Sequence, residues 1–320
     1  MLEPKPRFLE RMKELLSDEK DFEEYLKVSQ TYPVNSIRCN TIKISADELK
    51  KRLEKKWKIN QPFKEYPEVM IIESELLPGE LGKAIEHILG YYYVQEISSM
   101  LPMLVLKPSR EDVFLDLCAS PGSKTSQAGM MMENKGFLVA NDVNLGRIMV
   151  LATNLQRCGV TNVIVTRHEG TSLCNRLYKA GFNFDKILVD APCSGEGTIR
   201  SSPKTLVMFS ENLIKNLSGI QKNLASNALK VLKVGGEMIY STCTHAPEEN
   251  EEVVSYLLDN FPVELMEIKL PLKTRPGVVE WNGKQYNKNV TKCVRVYPHD
   301  NNTEGFFIAK LRKVSELEEK

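Results

Sequence analysis

The sequence predicts an α/β protein, with a doubly wound, Rossmann-like sheet preceded by a smaller α/β module. Three observations predict this. From residue 112 onward, short apolar runs alternate with helical patterns, as expected of strands covered on both faces. Before residue 90 a strand–helix–strand piece stands apart with its own rhythm. The residues able to carry chemistry fall just past the ends of the apolar runs, where open α/β sheets bind ligands. The expected division is therefore 1–90 for an N-terminal helix plus the small module, and 91–320 for the large domain.

The elements follow in order. The first 25 or so residues, "PRFLERMKELLSDEKDFEEYL", read as an amphipathic helix with Phe8, Leu9, Met12, Leu15 and Leu16 on one face. "SIRCNTI" (36–42) reads as a strand. "SADELKKRLEKK" (45–56) reads as a helix capped by Ser45, with Glu48 three residues on. "EVMIIE" (68–73) is a strand, and 90–106 is a strand or turn entering a helix. In the large domain, strands are expected at "VFLDLC", "FLVAND" (137–142), "VIVTR", "KILVD", "EMIYST", "VELMEI" and "GFFIAKL". The helices between them include one ending at Gly159, one over about 211–233 that stops at "VGG", and "PEENEEVVSYLLDN".

Composition bounds the function. The chain has 320 residues, 42% hydrophobic and 27% charged, a profile of soluble globular proteins. No apolar stretch approaches the roughly 18 residues of a membrane span, and the charged N-terminus is no secretory signal. The seven cysteines form no CxxC pair, so neither a metal site nor a disulfide framework is expected, and a reducing cytoplasm fits. The net charge of +1 does not announce nucleic acid. Between Lys273 and Tyr297, however, six basic residues (Lys273, Arg275, Lys284, Lys288, Lys292, Arg295) face one acid, Glu280, with Trp281, Tyr286 and Tyr297 interleaved. That mixture suits phosphate contacts and base stacking as well as it suits a solvated loop.

The first strand of the large domain enters "CASPGSKT" (118–125), where Gly122 permits a tight turn before a helix. Asp142 ends the next strand, 20 residues after Gly122, the place for a carboxylate that grips ribose hydroxyls; the alternative is a helix N-cap. The dinucleotide fingerprint is absent, and Leu117 stands where a P-loop needs its first glycine. A ribose-gripping acid without a phosphate cradle suits S-adenosylmethionine.

Two further strands run into "DAPCS" and "STCT", placing Cys193 and Cys243 on the ligand side of one sheet. Carbon 5 of cytosine is a poor nucleophile. A thiolate added at C6 turns the ring into an enamine that can attack a methyl sulfonium at C5; loss of the C5 proton and of the thiolate restores the ring. This chemistry needs a nucleophilic cysteine, an acid near N3/N4 and a proton acceptor, which Cys193, Cys243 and Asp190 can supply. A free thiol near pKa 8.5 is only a few per cent ionised at neutral pH. Pro247 suggests a helix start close after Cys243, which leans the nucleophile's role towards Cys243; inert packing cysteines are the plain alternative.

The six separated segments "SIRCNT", "YYVQEISSM", "DLCASPGSKT", "DAPCSGEGT", "YSTCTHAPEENE" and "PHDNNTEGFFIAKL", in this order along the chain and with a match spanning about residue 30 to the C-terminus, resemble the NOL1/NOP2/Sun family of RNA cytosine-5 methyltransferases. The compact length is most similar to the archaeal tRNA cytosine-5 methyltransferases. The resemblance implies a Rossmann-like methyltransferase sheet with a small RRM-like N-terminal module, and S-adenosylmethionine as cofactor. It implies Cys243 as nucleophile, Cys193 as the residue assisting product release, and Asp190 between cofactor and target base. Cofactor contacts carry over to Cys118, Ala119, Ser120, Pro121, Gly122, Ser123, Lys124, Asp142, Arg147 and Asp190, with Glu169 near the adenine. RNA, and tRNA before ribosomal RNA, is the expected partner, with no metal and no membrane.

Arg200, Lys204 and the residues Lys273, Arg275, Lys288 and Lys292 are candidate backbone contacts. Arg38 and Asn40 either touch RNA or brace the seam between the two parts. A non-catalytic RNA-binding factor is the competing class, and intact Cys193, Cys243, Asp142 and Asp190 argue against it. A zinc cytidine deaminase is excluded, since Glu196 stands where P-C-x-x-C needs its second cysteine. A DNA cytosine methyltransferase would normally carry a large target-recognition insert, for which there is no room.

Overall fold

The computed structural model describes residues 4–317. Its larger sheet has nine strands among these residues. Five are parallel and lie in the order Val163–Arg167, Phe137–Asp142, Val113–Asp116, Phe184–Asp190, Leu232–Thr242. Phe306–Lys313 adds antiparallel to Leu232–Thr242, and Val294–Val296 and Val263–Leu265 pair with it in turn. The chain starts in the middle of the parallel set at Val113–Asp116, winds outward to Val163–Arg167, and returns to the other side at Phe184–Asp190. That reversal opens a crevice at the carboxyl ends of the two central strands. Apolar residues on both sheet faces pack against helices, which explains the near-continuous apolar strands.

The small module is a four-stranded antiparallel sheet in the order Ile59–Asn60, Val69–Ile72, Asn35–Cys39, Tyr92–Val94, with helix Ala46–Leu53 over it. Ser45 caps that helix by accepting from Glu48 N. The last strand of this sheet lies past residue 90.

Several elements differ from the sequence expectation. The N-terminal helix is two helices, Pro6–Leu16 and Glu19–Ser29. Ser17 takes a left-handed conformation (φ 53°) and Asp18 caps the second helix by accepting from Asp21 N. Both helices pack on the large domain: Phe8, Met12, Leu16 and Tyr25 share a cluster with Ile199, Phe209 and Tyr297. "VGG" is not a helix stop; it lies inside the strand Leu232–Thr242 after a helix that ends at Lys230.

The basic stretch also needs correction. Arg295 is 2% exposed and forks onto Glu251, its Nε lying 2.6 Å from Oε1. Arg275 joins Asp21 of the second N-terminal helix to Asp300, and Lys273 also reaches Asp300. Lys284 pairs with Glu252, and Lys292 donates to the Leu265 carbonyl. Trp281, Tyr286 and Tyr297 are buried. Acids distant in sequence pair with Lys273, Arg275, Lys284 and Arg295, so most of this charge is structural; Lys292 and Lys288 have no acidic partner among the described residues, and Lys288 is exposed.

Removing one partner of a buried ion pair leaves an uncompensated charge. Arg295→Met is expected to cost about 3–5 kcal/mol in urea unfolding, and the double change Arg295→Met, Glu251→Leu to recover most of it.

Candidate active site

Two loops leave the large sheet side by side. Strands Phe184–Asp190 and Leu232–Thr242 run parallel with Asp190 opposite Ser241. The segments after them therefore emerge at one edge and are stitched together. Ala191 N donates to Ser241 O at 2.9 Å, and Gly197 N to Cys243 O at 2.9 Å. Ser194 Oγ lies 2.8 Å from Thr244 Oγ1. Gly197 is required here, because a Cβ would stand 2.5 Å from Gly305 O and 2.8 Å from Cys243 O. The outcome is that Cys193 Sγ and Cys243 Sγ lie 3.3 Å apart.

The contact with Cys243 pushes the Cys193 thiol well above its ordinary range, and burial and the nearby Glu249 add to it. The helix expected at Pro247 does not start there. Asn250 accepts from Thr242 Oγ1 and donates to Thr244 O, folding 243–250 into turns, and the helix is Glu251–Asn260. Cys243 therefore does not sit at a helix N-terminus.

Two clefts meet at this pair. The first, about 410 Å³, is lined by Cys118, Ser120, Asp142, Arg147, Glu169 and Asp190, and reaches both cysteines. The second, about 320 Å³, lies between the small module and the large domain; Ser36, Gln95, Ser99, Lys124 and Phe306 line it. Asp190 and Cys243 line both clefts, whereas Cys193 lines the first. Asp190 is held between them: Oδ2 accepts from Lys124 Nζ at 2.8 Å and Oδ1 from Ser241 Oγ at 2.7 Å.

The lining of the first cleft fits S-adenosylmethionine. Asp142 is 3% exposed and is not the helix cap, a role that Asn144 takes by accepting from Arg147 N. Its carboxylate faces Arg147 at 3.4 Å, and Arg147 also donates to Ser120 O. Three carboxylates (Asp142, Glu169, Asp190) against one guanidinium suit a sulfonium cation. Ser120 Oγ is buried with no protein partner, a free polar atom for a bound nucleoside or amino acid.

Within 118–124 the roles divide. Cys118 and Ser120 reach the first cleft and Lys124 the second. Ala119 N bonds Asn141 O, tying the loop to the neighbouring strand. Pro121 O and Ser123 O accept from Asn154 and Arg38. Gly122 (φ 100°) turns the chain where a Cβ would meet Leu151 at 2.9 Å. Glu169 lines the cleft, but its oxygens cap the helix Gly170–Lys179 through Thr171 N and Ser172 N.

Of the residues expected at RNA, Arg38 and Asn40 are buried in the seam. Arg38 donates to Ser123 O, Ser126 Oγ and Gln95, and Asn40 to Gly90 O and Cys158 O. Arg200 is 2% exposed, its guanidinium spent on Tyr32 O, Thr303 O and Asn302. For Arg38 and Asn40 this is the seam alternative; Arg200 is corrected from a surface contact to an internal brace, because protein oxygens take its donors. Lys204 is exposed. Sequence reasoning missed Ser99, Ser241 and Phe306; only their closeness to "QEISS", "STCT" and "GFF" hinted at them.

Residues 103–312 match the family described as 16S rRNA methyltransferase RsmB/F, and residues 5–97 match the N-terminal domain of 16S rRNA methyltransferase RsmF. The chain is 43% identical over 280 residues to a tRNA (cytosine(49)-C(5))-methyltransferase of Pyrococcus abyssi, covering 87% of this chain and 88% of that protein. It is 36% identical to ribosomal RNA small subunit methyltransferase F of Erwinia tasmaniensis, covering 98% of this chain and 64% of that longer protein. Among solved structures, a methyltransferase homolog from Pyrococcus horikoshii superposes with a TM-score of 0.83 at 34% identity, over 96% of this chain and 94% of the other. NSun6 from Pyrococcus horikoshii, solved with SFG, gives 0.83 at 26% identity, over 98% and 99%.

Asp142→Ala is expected to weaken S-adenosylmethionine binding by about ten- to a hundredfold in calorimetry, the worth of a charged hydrogen bond. A second test concerns Glu196, which is buried behind Cys243 with Oε1 unpartnered; burial pushes its carboxyl up to about 7. Between the unfolded value of about 4.3 and that folded value, the folded state holds a proton the unfolded state has released. This contribution to stability is therefore full at low pH and lost as pH rises through the window. Glu196→Gln cannot lose it, so unfolding experiments should show the variant gaining on the wild type as pH rises across that range.

Proposed function

The chain belongs to the RsmB/F family of RNA methyltransferases, and from that premise we propose that it methylates carbon 5 of a cytosine in tRNA through a covalent Cys243–C6 adduct. The observation that carries this reading is the 3.3 Å approach of two cysteine sulfurs where two clefts meet. The first cleft takes the cofactor, held by Cys118, Ser120, Asp142, Arg147 and Glu169; the SFG of the NSun6 structure is an analogue of S-adenosylmethionine. When bound, S-adenosylmethionine supplies an electrophilic methyl group.

The second cleft takes the flipped base, which reaches it at a cost of about a few kcal/mol in unstacking. Cys243, which lines that cleft, attacks C6 as the thiolate. Asp190, fixed by Lys124 and Ser241, hydrogen-bonds the N3/N4 edge and favours electron flow to C5. Once Cys243 is bound to carbon its charge is gone, and with it the main influence that held the proton on Cys193. After C5 has taken the methyl group, Cys193 gives that proton to solvent and takes the one on C5. The C5–H electron pair becomes the C5=C6 bond, and the C6–S pair leaves with Cys243.

The Pyrococcus abyssi relative, matched over nearly its full length, favours tRNA as substrate. The small-subunit relatives favour a second reading, ribosomal RNA. Labelled cofactor offered with tRNA and with small ribosomal subunits, followed by bisulfite mapping, separates the two. In that assay Cys243→Ala is expected to abolish both methylation and the RNA adduct, while Cys193→Ala accumulates a covalent protein–RNA species on denaturing gels. An adduct in the Cys243 variant and none in the Cys193 variant would reverse the two roles.

A further inference from the structure

Glu249 lies beneath the loop that carries Cys193 and is fully buried. Its neighbours Glu248 and Glu251 are each paired with a buried arginine, Arg11 and Arg295. Glu249 forms no such ion pair among the described residues. A buried carboxyl without a cation is costly, and burial pushes this one up to about 7. Its partners are specific. Oε2 accepts from Ser194 N at 3.1 Å and from Gln221 Nε2 at 2.7 Å. Gln221 Nε2 also donates to Pro192 O at 2.8 Å. The backbone on both sides of Cys193 is therefore gripped, by Glu249 after it and by Gln221 before it. Glu249 is itself anchored, since its carbonyl accepts from Tyr240 Oη in the neighbouring strand.

The geometry points to Glu249 as a positioning residue for Cys193: with Gln221 it clamps Pro192–Ser194 so that the Cys193 sulfur stays against Cys243 for the release step. This rests on the cysteine roles proposed above. Cys243 has holds of its own: it follows directly on the strand that ends at Thr242, and its carbonyl accepts from Gly197 N. Opening the clamp thus displaces Cys193 more than Cys243. Adduct formation continues, while transfer of the C5 proton to Cys193 and departure of the Cys243 sulfur slow. An error of about 1 Å in a reacting group is worth on the order of a hundredfold in rate.

The test uses the full chain, the tRNA methylated in the assay above, and denaturing gels that quantify covalent protein–RNA. Glu249→Ala is expected to accumulate adduct and to lower turnover about tenfold or more. Glu249→Gln keeps a side-chain oxygen to accept from Ser194 N and Gln221 Nε2; it should restore turnover to within about threefold of wild type. Gln221→Met opens the Pro192 side and should also accumulate adduct; it decides the matter if Glu249→Ala does not fold. The proposal is overturned if the clamp variants turn over slowly without adduct, or lose adduct formation as Cys243→Ala does. Cys193→Ala run in parallel separates the two claims. If it traps adduct and the clamp variants do not, the clamp is wrong and the cysteine roles stand; if it traps none, the roles fail and the clamp falls with them.

Discussion

The 3.3 Å approach of Cys193 to Cys243 is the constraint around which the rest of the molecule is arranged. Fifty residues separate them in sequence, and two parallel strands in register bring them to one edge. Register alone does not make the contact. Backbone from three segments must also converge beneath the sulfurs, where Gly197 N meets Cys243 O and Gly305 N meets Gly197 O. Neither glycine can be replaced cheaply: a Cβ on Gly305 would stand 2.3 Å from the His245 ring. Gly197 and Gly305 serve close backbone approach more than flexibility.

The second constraint is the seam. Arg38 sits 1% exposed between the small module and the helix Ser123–Met131, and burial lowers its guanidinium to about 10. It meets carbonyl and hydroxyl acceptors instead of a carboxylate, so the cation is satisfied by hydrogen bonds that only the docked arrangement provides. Arg157 and Lys43 repeat the device, donating to carbonyls across the same boundary. A seam built this way fixes Ser36 and Gln95 as one wall of the second cleft, with Lys124 and Phe306 opposite. The small module thereby shapes the site as well as offering a surface.

Much of this was legible in the sequence, for a definite reason. Strand runs such as "KILVD", the turn at Gly122, the Ser45 cap and the acid at Asp142 are local patterns, and local patterns survive in the fold. The convergence of Asp190, Cys193 and Cys243 followed from one general rule about strand ends. What misled was charge and aromatic content counted along the chain. Arg275 is answered by Asp21, 254 residues away, and Arg295 by Glu251, while Trp281 packs under Arg11. No window of sequence contains those partners. The expected helix at Pro247 failed for a related reason: the Asn250 side chain bridges Thr242 and Thr244, a cross-loop pairing that outcompetes a first helical turn.

The two thiols are chemically alike, so their division of labour has to come from surroundings. Access supports one assignment: Cys243 faces both clefts, and Cys193 faces the one lined by Asp142 and Arg147. A nucleophile that must reach a base on one side while a methyl donor waits on the other belongs at the junction. The surroundings of Cys193 add to this: the contact with Cys243 raises its thiol, and burial and the nearby Glu249 raise it further. Under the proposed roles that contact changes once Cys243 is bound to carbon, so formation of the first bond would alter the field at the second sulfur.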